Sequence, residues 1–106
     1  MPEISQTYSV AANARFSPAR PVTQLLHDSP NARLVIFGLE AGQEVHAHVS
    51  SSEVFMHVVE GQGDVLVGET RHPAKAGDLF VCAPHVPHGF RAESRMIVLA
   101  TITPRP

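Results

Sequence analysis

The sequence contains no tryptophan, a single cysteine and few charged residues. Cys82 alone cannot close an internal disulfide, so nothing indicates an oxidising compartment. Charged residues make up 17% of the 106 residues, with a formal net charge of -2. Without a basic stripe, nucleic acid is not an expected partner. Because residues 1–8 have no apolar leader and no apolar run is long enough to span a bilayer, we expect a cytoplasmic protein without a membrane partner.

Sustained helical periodicity is also missing from the sequence, and strand signals take its place. Turn residues recur about every eight to twelve residues between β-branched and aromatic runs. This pattern predicts an all-β protein, an antiparallel sandwich or barrel. The predicted strands are residues 22–26, 33–39, 44–49, 54–60, 64–67, 71–75, 79–82, 88–91 and 96–102, with another short strand near 8–11.

The first part of the chain differs from the rest. Residues 1–21 contain three prolines and have weak periodicity, which predicts an extended N-terminal arm. Residues 22–103 then form a single domain, a size that one hydrophobic core can support. A small barrel leaves sheet edges that need cover, and the arm could cover an edge of its own chain or of a partner. We therefore expect a homodimer with the arm as a contact.

Histidine is the abundant functional residue, with seven in the chain. His46 and His48 lie two apart in a predicted strand, and such residues point to the same face. Two imidazoles can then converge on one point, and a third histidine from a distant strand would complete a metal site. His88 follows a proline-bearing loop and is the candidate for that third position.

Glycines and histidines between residues 42 and 88 follow the two sequence motifs of a known family. Gly42 and Gly61 bracket the first motif, Gly77 opens the second and His88 closes it. In these motifs the chain resembles the cupins, and in particular the compact single-domain cupins of the RmlC-like and quercetin dioxygenase-like superfamily. The resemblance implies a cupin-type antiparallel β-barrel, or jelly roll. It also implies that histidines of the motifs hold a divalent metal.

Two alignments of the first motif compete. In one, His46 and His48 form the histidine pair and Glu53 is the acidic ligand; Gly42 then lies two residues too close and Gly61 one too far. In the other, the glycines keep their family spacing. His48 then takes the first histidine position, Ser50 the second and Val54 that of the glutamate.

Strand alternation separates the two alignments. If the alternation of inward and outward residues is counted back from Gly61, residues 54, 56 and 58 point inward, and Glu53 and His57 point outward. A one-residue bulge before Gly61 would instead turn Glu53 toward the metal. We predict His46, His48 and His88 as metal ligands, with Glu53 or His57 as candidates for a further ligand. Strand residues expected to fill the core, or to line a cavity if the barrel keeps one, are Met56, Phe80 and Phe90.

The resemblance leaves three functions open. The first is a dioxygenase-like or isomerase-like enzyme that uses a divalent metal on a small organic molecule, with its catalytic residues unassigned. Histidine ligands suit iron, nickel, copper or zinc, and Glu53 would favour manganese. The second is a non-catalytic module that binds a small ligand or a metal. The third is a dimeric barrel with a degenerate metal site.

Overall fold

In the computed structural model, which describes residues 5–106, two antiparallel sheets account for most of the chain. Nine strands and one short helix occur in this part of the chain, and the predicted all-β antiparallel barrel is confirmed. The elements are α1 (Val10–Asn13), β1 (Val22–Asp28), β2 (Arg33–Leu39), β3 (Glu44–His48), β4 (Glu53–Glu60), β5 (Gln62–Val67), β6 (Thr70–Lys75), β7 (Leu79–Cys82), β8 (His88–Ala92) and β9 (Met96–Thr103).

The sheets face each other across one core. The larger has the order β1-β2-β9-β4-β7 and the smaller the order β3-β8-β5-β6. Successive residues of a strand point to opposite faces of its sheet, so one set of side chains from each sheet points into the core. On β4 these are Val54, Met56 and Val58, all buried. Other residues buried in this core include Leu39, Val65, Cys82, Phe90, Met96 and Val98.

The strand expected near residues 8–11 is wrong, because α1 begins at Val10. Two alanines in its four residues favour a helical turn over a strand. The turn and the residues after it lie on the outside of the larger sheet, where Ala14 packs with Ile36 and Ile97. The backbone approach is close, since a Cβ added at Gly38 would lie 2.0 Å from the Arg15 carbonyl oxygen.

The described part of the arm is therefore attached to its own barrel. Gln43 donates a hydrogen bond to the Ser17 carbonyl, and Arg95 stacks over Phe16 at 4.1 Å while it pairs with Glu40. Residues 1–4 of the predicted arm lie outside the described residues. Across residues 5–106, no helix is long and apolar enough to cross a membrane.

Candidate functional site

A β-bulge in β3 decides which histidines face the barrel interior. Val45 pairs with Phe90 and His48 pairs with His88, so three steps along β3 match two steps along β8. Directly opposed residues of antiparallel strands share a face, and Val45 packs on the core while His48 lines the interior cavity. His46 and Ala47 take up the extra residue; His46, Ala47 and His48 are all exposed, and of these three only His48 lines the cavity. The shared face expected for His46 and His48 is absent for this reason.

The structure brings together His48 and His88. Their ring centroids lie 4.3 Å apart, with the ring planes inclined by 60°. His88 is only 3% exposed, whereas His48 sits at the cavity mouth. The side chain of His46 is 88% exposed, and its Nδ1 lies 3.8 Å from Glu44 Oε2. His46 is thus apart from the pair.

Backbone carbonyls fix the orientation of both rings. Nδ1 of His88 lies 3.0 Å from the Val86 carbonyl oxygen, and Nδ1 of His48 lies 3.1 Å from that of His46. A carbonyl oxygen only accepts, so each Nδ1 carries the proton and donates it. When a ring with this tautomer is neutral, its Nε2 keeps a lone pair for a molecule in the cavity.

The Val86 carbonyl also accepts a hydrogen bond from the Cys82 thiol, at 3.2 Å. Burial raises the pKa of Cys82 and keeps the thiol protonated. Burial likewise lowers the pKa of His88; the hydrogen bond to Val86 opposes this, and the neighbouring His48 lowers the pKa further. His88 is therefore a neutral imidazole near pH 7. The loop that supplies Val86 is held by the His85 amide, which donates to the Ser50 carbonyl at 2.7 Å.

The paired histidines stand at an apolar cavity of about 210 Å³ between the sheets. Phe37 and Phe90 meet edge to face in its wall, with centroids 5.0 Å apart. None of the described residues that line it is Asp, Glu, Lys or Arg. The lining residues are Phe37, His48, Val49, Ser50, Val54, Met56, His88, Phe90, Ala100 and Ile102.

The other predicted site residues lie elsewhere. His57 is exposed and Glu53 half-buried, and both have the outward phase of β4 because Val54 and Met56 point inward. β4 does have an irregularity before Gly61, between Val58 and Glu60, but it follows the inward residues and leaves Glu53 outside. Met56 and Phe90 line the cavity, whereas Phe80 packs on the core beside His72.

The alignment that keeps the glycines agrees with this arrangement. The residues at its four ligand positions all line the cavity: His48, Ser50, Val54 and His88. Its glycines adopt the positive φ that turns require, 87° at Gly42 and 82° at Gly61. Sequence reasoning missed Phe37, Ala100 and Ile102, and the signal that could have found them was the inward phase of strands β2 and β9.

The cavity offers fewer metal-ligating side chains than a protein usually supplies to a catalytic metal. Such sites usually supply three protein ligands, and here Ser50 and Val54 stand where the motif has histidine and glutamate. Residues 5–106 contain no group of three His, Cys, Asp or Glu side chains placed to hold a metal ion. Two imidazoles fit at most a weakly held ion, unless an exogenous ligand completes its coordination.

Comparisons with known proteins agree with the fold. An RmlC-like cupin protein from Desulfovibrio desulfuricans is 35% identical over 95% of this chain and 98% of its own, with a TM-score of 0.89. A protein from Thermus thermophilus is 26% identical over 96% of this chain and 100% of its own, with a TM-score of 0.90. An RmlC-like cupin from Shewanella frigidimarina is 25% identical over 95% of this chain and 93% of its own, with a TM-score of 0.80.

No curated protein matches the chain. The sequence model of the cupin domain matches residues 35–102, which include both motifs, the β3 bulge and all of the cavity-lining residues named above. The chain belongs to the cupin family.

Proposed function

We propose that the protein binds a small, uncharged organic molecule in the barrel cavity, and that His48 and His88 recognise its polar group. The observation that carries this proposal is the histidine pair at an otherwise apolar cavity. Cavities that recognise small molecules combine an apolar wall with a few convergent polar groups. This cavity has that composition.

The cavity volume limits the ligand to about one ring. An apolar cavity of about 150 Å³ accommodates benzene, and drug-sized ligands need at least about 300 Å³. The cavity here, about 210 Å³, lies between these values. The edge-to-face aromatic pair of Phe37 and Phe90 supplies a wall suited to a ring.

The charge pattern favours a hydroxyl group on that ring. A neutral His88 offers Nε2 as an acceptor, and an O–H group is its natural donor. A carboxylate would enter an apolar cavity with no Lys or Arg among the described residues that line it, and an unpaired buried charge is costly. Phenols and cyclic alcohols are therefore the proposed ligand class.

Metal binding is the second candidate function. It is supported by the Nδ1–H bonds to backbone carbonyls, because histidines that ligate metals are commonly oriented in this way. When bound, a metal would supply Lewis acidity or activate dioxygen, the chemistry expected of a dioxygenase-like or isomerase-like enzyme. His48 and His88 would hold it, and the three-histidine set that includes His46 stays a prediction. The homodimer and the cytoplasmic location also stay predictions.

Titration calorimetry with phenol, cyclohexanol, toluene and benzoate tests the first candidate. We expect phenol to bind more tightly than toluene, and benzoate to bind least. His48→Leu should weaken phenol binding at least about tenfold, the effect of losing one good hydrogen bond, while His46→Leu on the exterior should not. If none of the four compounds binds, the proposal fails.

Metal analysis of protein purified without added metal tests the second candidate. Stoichiometric metal that is lost in both His48→Leu and His88→Leu would establish it, and oxygen uptake with catechols, flavonols and diketones would then test for an enzyme. Metal content equal in both variants and the wild type would refute a site at this pair.

A further inference from the structure

Ser50 is the third polar side chain at the cavity, beside His48 and His88. The other described residues that line the cavity are apolar, so these three side chains supply the side-chain hydrogen bonds that a ligand could form there. In their neutral Nδ1–H form the two imidazoles offer Nε2 only as an acceptor. A hydroxyl group differs from them, because it has a proton to donate as well as lone pairs. Ser50 is therefore the side chain that can bind an acceptor atom of a ligand.

The hydrogen bonds of the folded chain use the oxygen of the Ser50 hydroxyl and leave its proton free. The amide of Ser52 donates to Ser50 Oγ at 3.1 Å. Within residues 5–106, no side chain or carbonyl accepts the Ser50 hydroxyl proton. Ser50 is half-buried and lines the cavity. A ligand in the cavity thus meets a hydroxyl group whose donor is still unused.

Ser50 is held at the cavity by segments that are distant from it in sequence. Its carbonyl accepts a hydrogen bond from the His85 amide at 2.7 Å. Ser52, whose amide donates to Ser50 Oγ, is 3% exposed, and its own hydroxyl donates to the Pro104 carbonyl. The loop before β8 and the C-terminal segment therefore both fix the turn that carries Ser50. Because this turn is already ordered, a ligand spends little of its binding energy on positioning the donor.

We propose that the Ser50 hydroxyl donates a hydrogen bond to a second oxygen of the ligand, an acceptor that the ligand carries in addition to its hydroxyl group. This inference rests on the proposed function, in which the hydroxyl group of the ligand donates to the histidine pair. It narrows the ligand class from phenols and cyclic alcohols to small rings that carry both a hydroxyl and a carbonyl group. Ser50 is the residue that determines this preference.

The two polar groups of the ligand belong at separate positions of its ring. His88 is 3% exposed, whereas Ser50 is half-buried, so the inner acceptor and the donor lie at different depths in the cavity. A hydroxyl group directly beside a carbonyl on the same ring would also bond to that carbonyl and withhold its proton from the histidines. Rings with the two groups in meta or para positions should therefore bind better than ortho isomers.

A carbonyl oxygen at Ser50 should be favoured over an apolar group of the same shape. When an apolar group covers the hydroxyl, its proton loses water and finds no acceptor, and this loss exceeds the net gain from an ordinary hydrogen bond. The 3- and 4-isomers of hydroxyacetophenone and of isopropenylphenol make the comparison, because a methylene group replaces the carbonyl oxygen in the isopropenyl compounds. We expect the better hydroxyacetophenone isomer to bind about tenfold more tightly than its isopropenyl counterpart.

Titration calorimetry of the wild type, Ser50→Ala and Ser51→Ala tests the proposal, at a pH at which the phenols are un-ionised. The quantity compared is the ratio of the dissociation constants of each isopropenylphenol and its hydroxyacetophenone counterpart. In Ser50→Ala this ratio should fall to about one, because no donor remains. Ser51→Ala is the matched control, since Ser51 is the exposed neighbour in the same turn and does not line the cavity. Its ratio should equal that of the wild type, and Ser50→Thr, which keeps the hydroxyl, should retain the preference.

Phenol itself separates failure of this inference from failure of the proposed function. If phenol binds but the wild type does not discriminate within either isomer pair, the assignment of Ser50 is overturned and the histidine site stands. A preference that persists in Ser50→Ala overturns the assignment too, because the carbonyl would then bind elsewhere. Loss of all binding in Ser50→Ala would make Ser50 a support of the cavity wall and overturn its role as a donor. If neither phenol nor the four larger compounds bind, both proposals fail.

Discussion

Two substitutions, Ser50→His and Val54→Glu, should convert the cavity into a metal site. Both positions line the cavity together with His48 and His88. In the alignment that keeps Gly42 and Gly61 in family spacing, these four are the ligand positions of the cupin motifs. Three imidazoles and a carboxylate suit iron, nickel or manganese. The double variant would therefore bind a metal that the wild type holds weakly or not at all.

The cost of the variant without metal follows from burial. Val54 is 3% exposed, and a carboxylate at this place loses its water without gaining a cation. The penalty for such a charge is several kcal/mol, and we take about 3 kcal/mol. For a domain of this size each kcal/mol lowers Tm by about 4–8 °C, so Tm should fall by roughly 12–24 °C. Metal at about one hundred times its Kd returns about 2.7 kcal/mol, which restores most of the loss.

Thermal unfolding with and without nickel measures both effects. We expect a low Tm for the metal-free double variant, a rise of roughly 10 °C or more with nickel, and a small response of the wild type. His46→Ala in the double-variant background is the control and should leave the rise unchanged. No rise in the double variant would show that positions 50 and 54 do not converge with the histidine pair. Loss of the rise with His46→Ala would favour the alignment that uses His46.

Three further outcomes are expected. Burial lowers the pKa of His88 below the ordinary value of 6.5, so as pH falls toward 6.5 and below it the unfolded chain takes up a proton before the folded chain does, and the folded state loses stability. Urea unfolding at several pH values should show this loss of stability in acid, and His88→Leu should reduce it. Gly38→Ala should displace the arm and lower the free energy of unfolding by about 2–4 kcal/mol, because the new Cβ would meet the Arg15 carbonyl; Gly42→Ala has open space and should lower it by about 1 kcal/mol, because of the positive φ. Urea unfolding measures both losses, trypsin cleavage after Arg15 reports displacement of the arm, and equal losses would contradict the reasoning. Ala100→Leu should fill the cavity and weaken phenol binding at least about tenfold while costing about 1–3 kcal/mol, and unchanged calorimetry would place the ligand elsewhere.

Local pattern predicted the strands well, because alternation and turn residues are local properties. Each of β1 to β9 overlaps a predicted strand, and no end is displaced by more than two residues. The phase of β4 was also readable from Gly61, which places Val54 and Met56 inside. The prediction for the arm was less accurate, because a helical turn with two alanines forms where a strand was predicted.

The composition of the site could not be read from spacing alone. The rule that residues two apart share a face fails across a bulge, and the extra residue of β3 separates His46 from His48. A bulge depends on the partner strand, here β8, and not on the local sequence. The glycine spacing carried the better information, because it reflects turns that the backbone must make. Phe37 and Ala100 reach the cavity from strands far apart in sequence, which only the folded chain brings together.

The alternation of β4 lets the cavity and the outer surface vary independently. Positions 54 and 56 belong to the cavity wall, whereas 55 and 57 lie on the outer face of the larger sheet. A mutational library confined to the even positions would change ligand preference without altering the exterior, and one confined to the odd positions would do the reverse. An insertion or deletion within the strand would exchange the two sets at once. Relatives should therefore diverge here by substitution far more readily than by change of length.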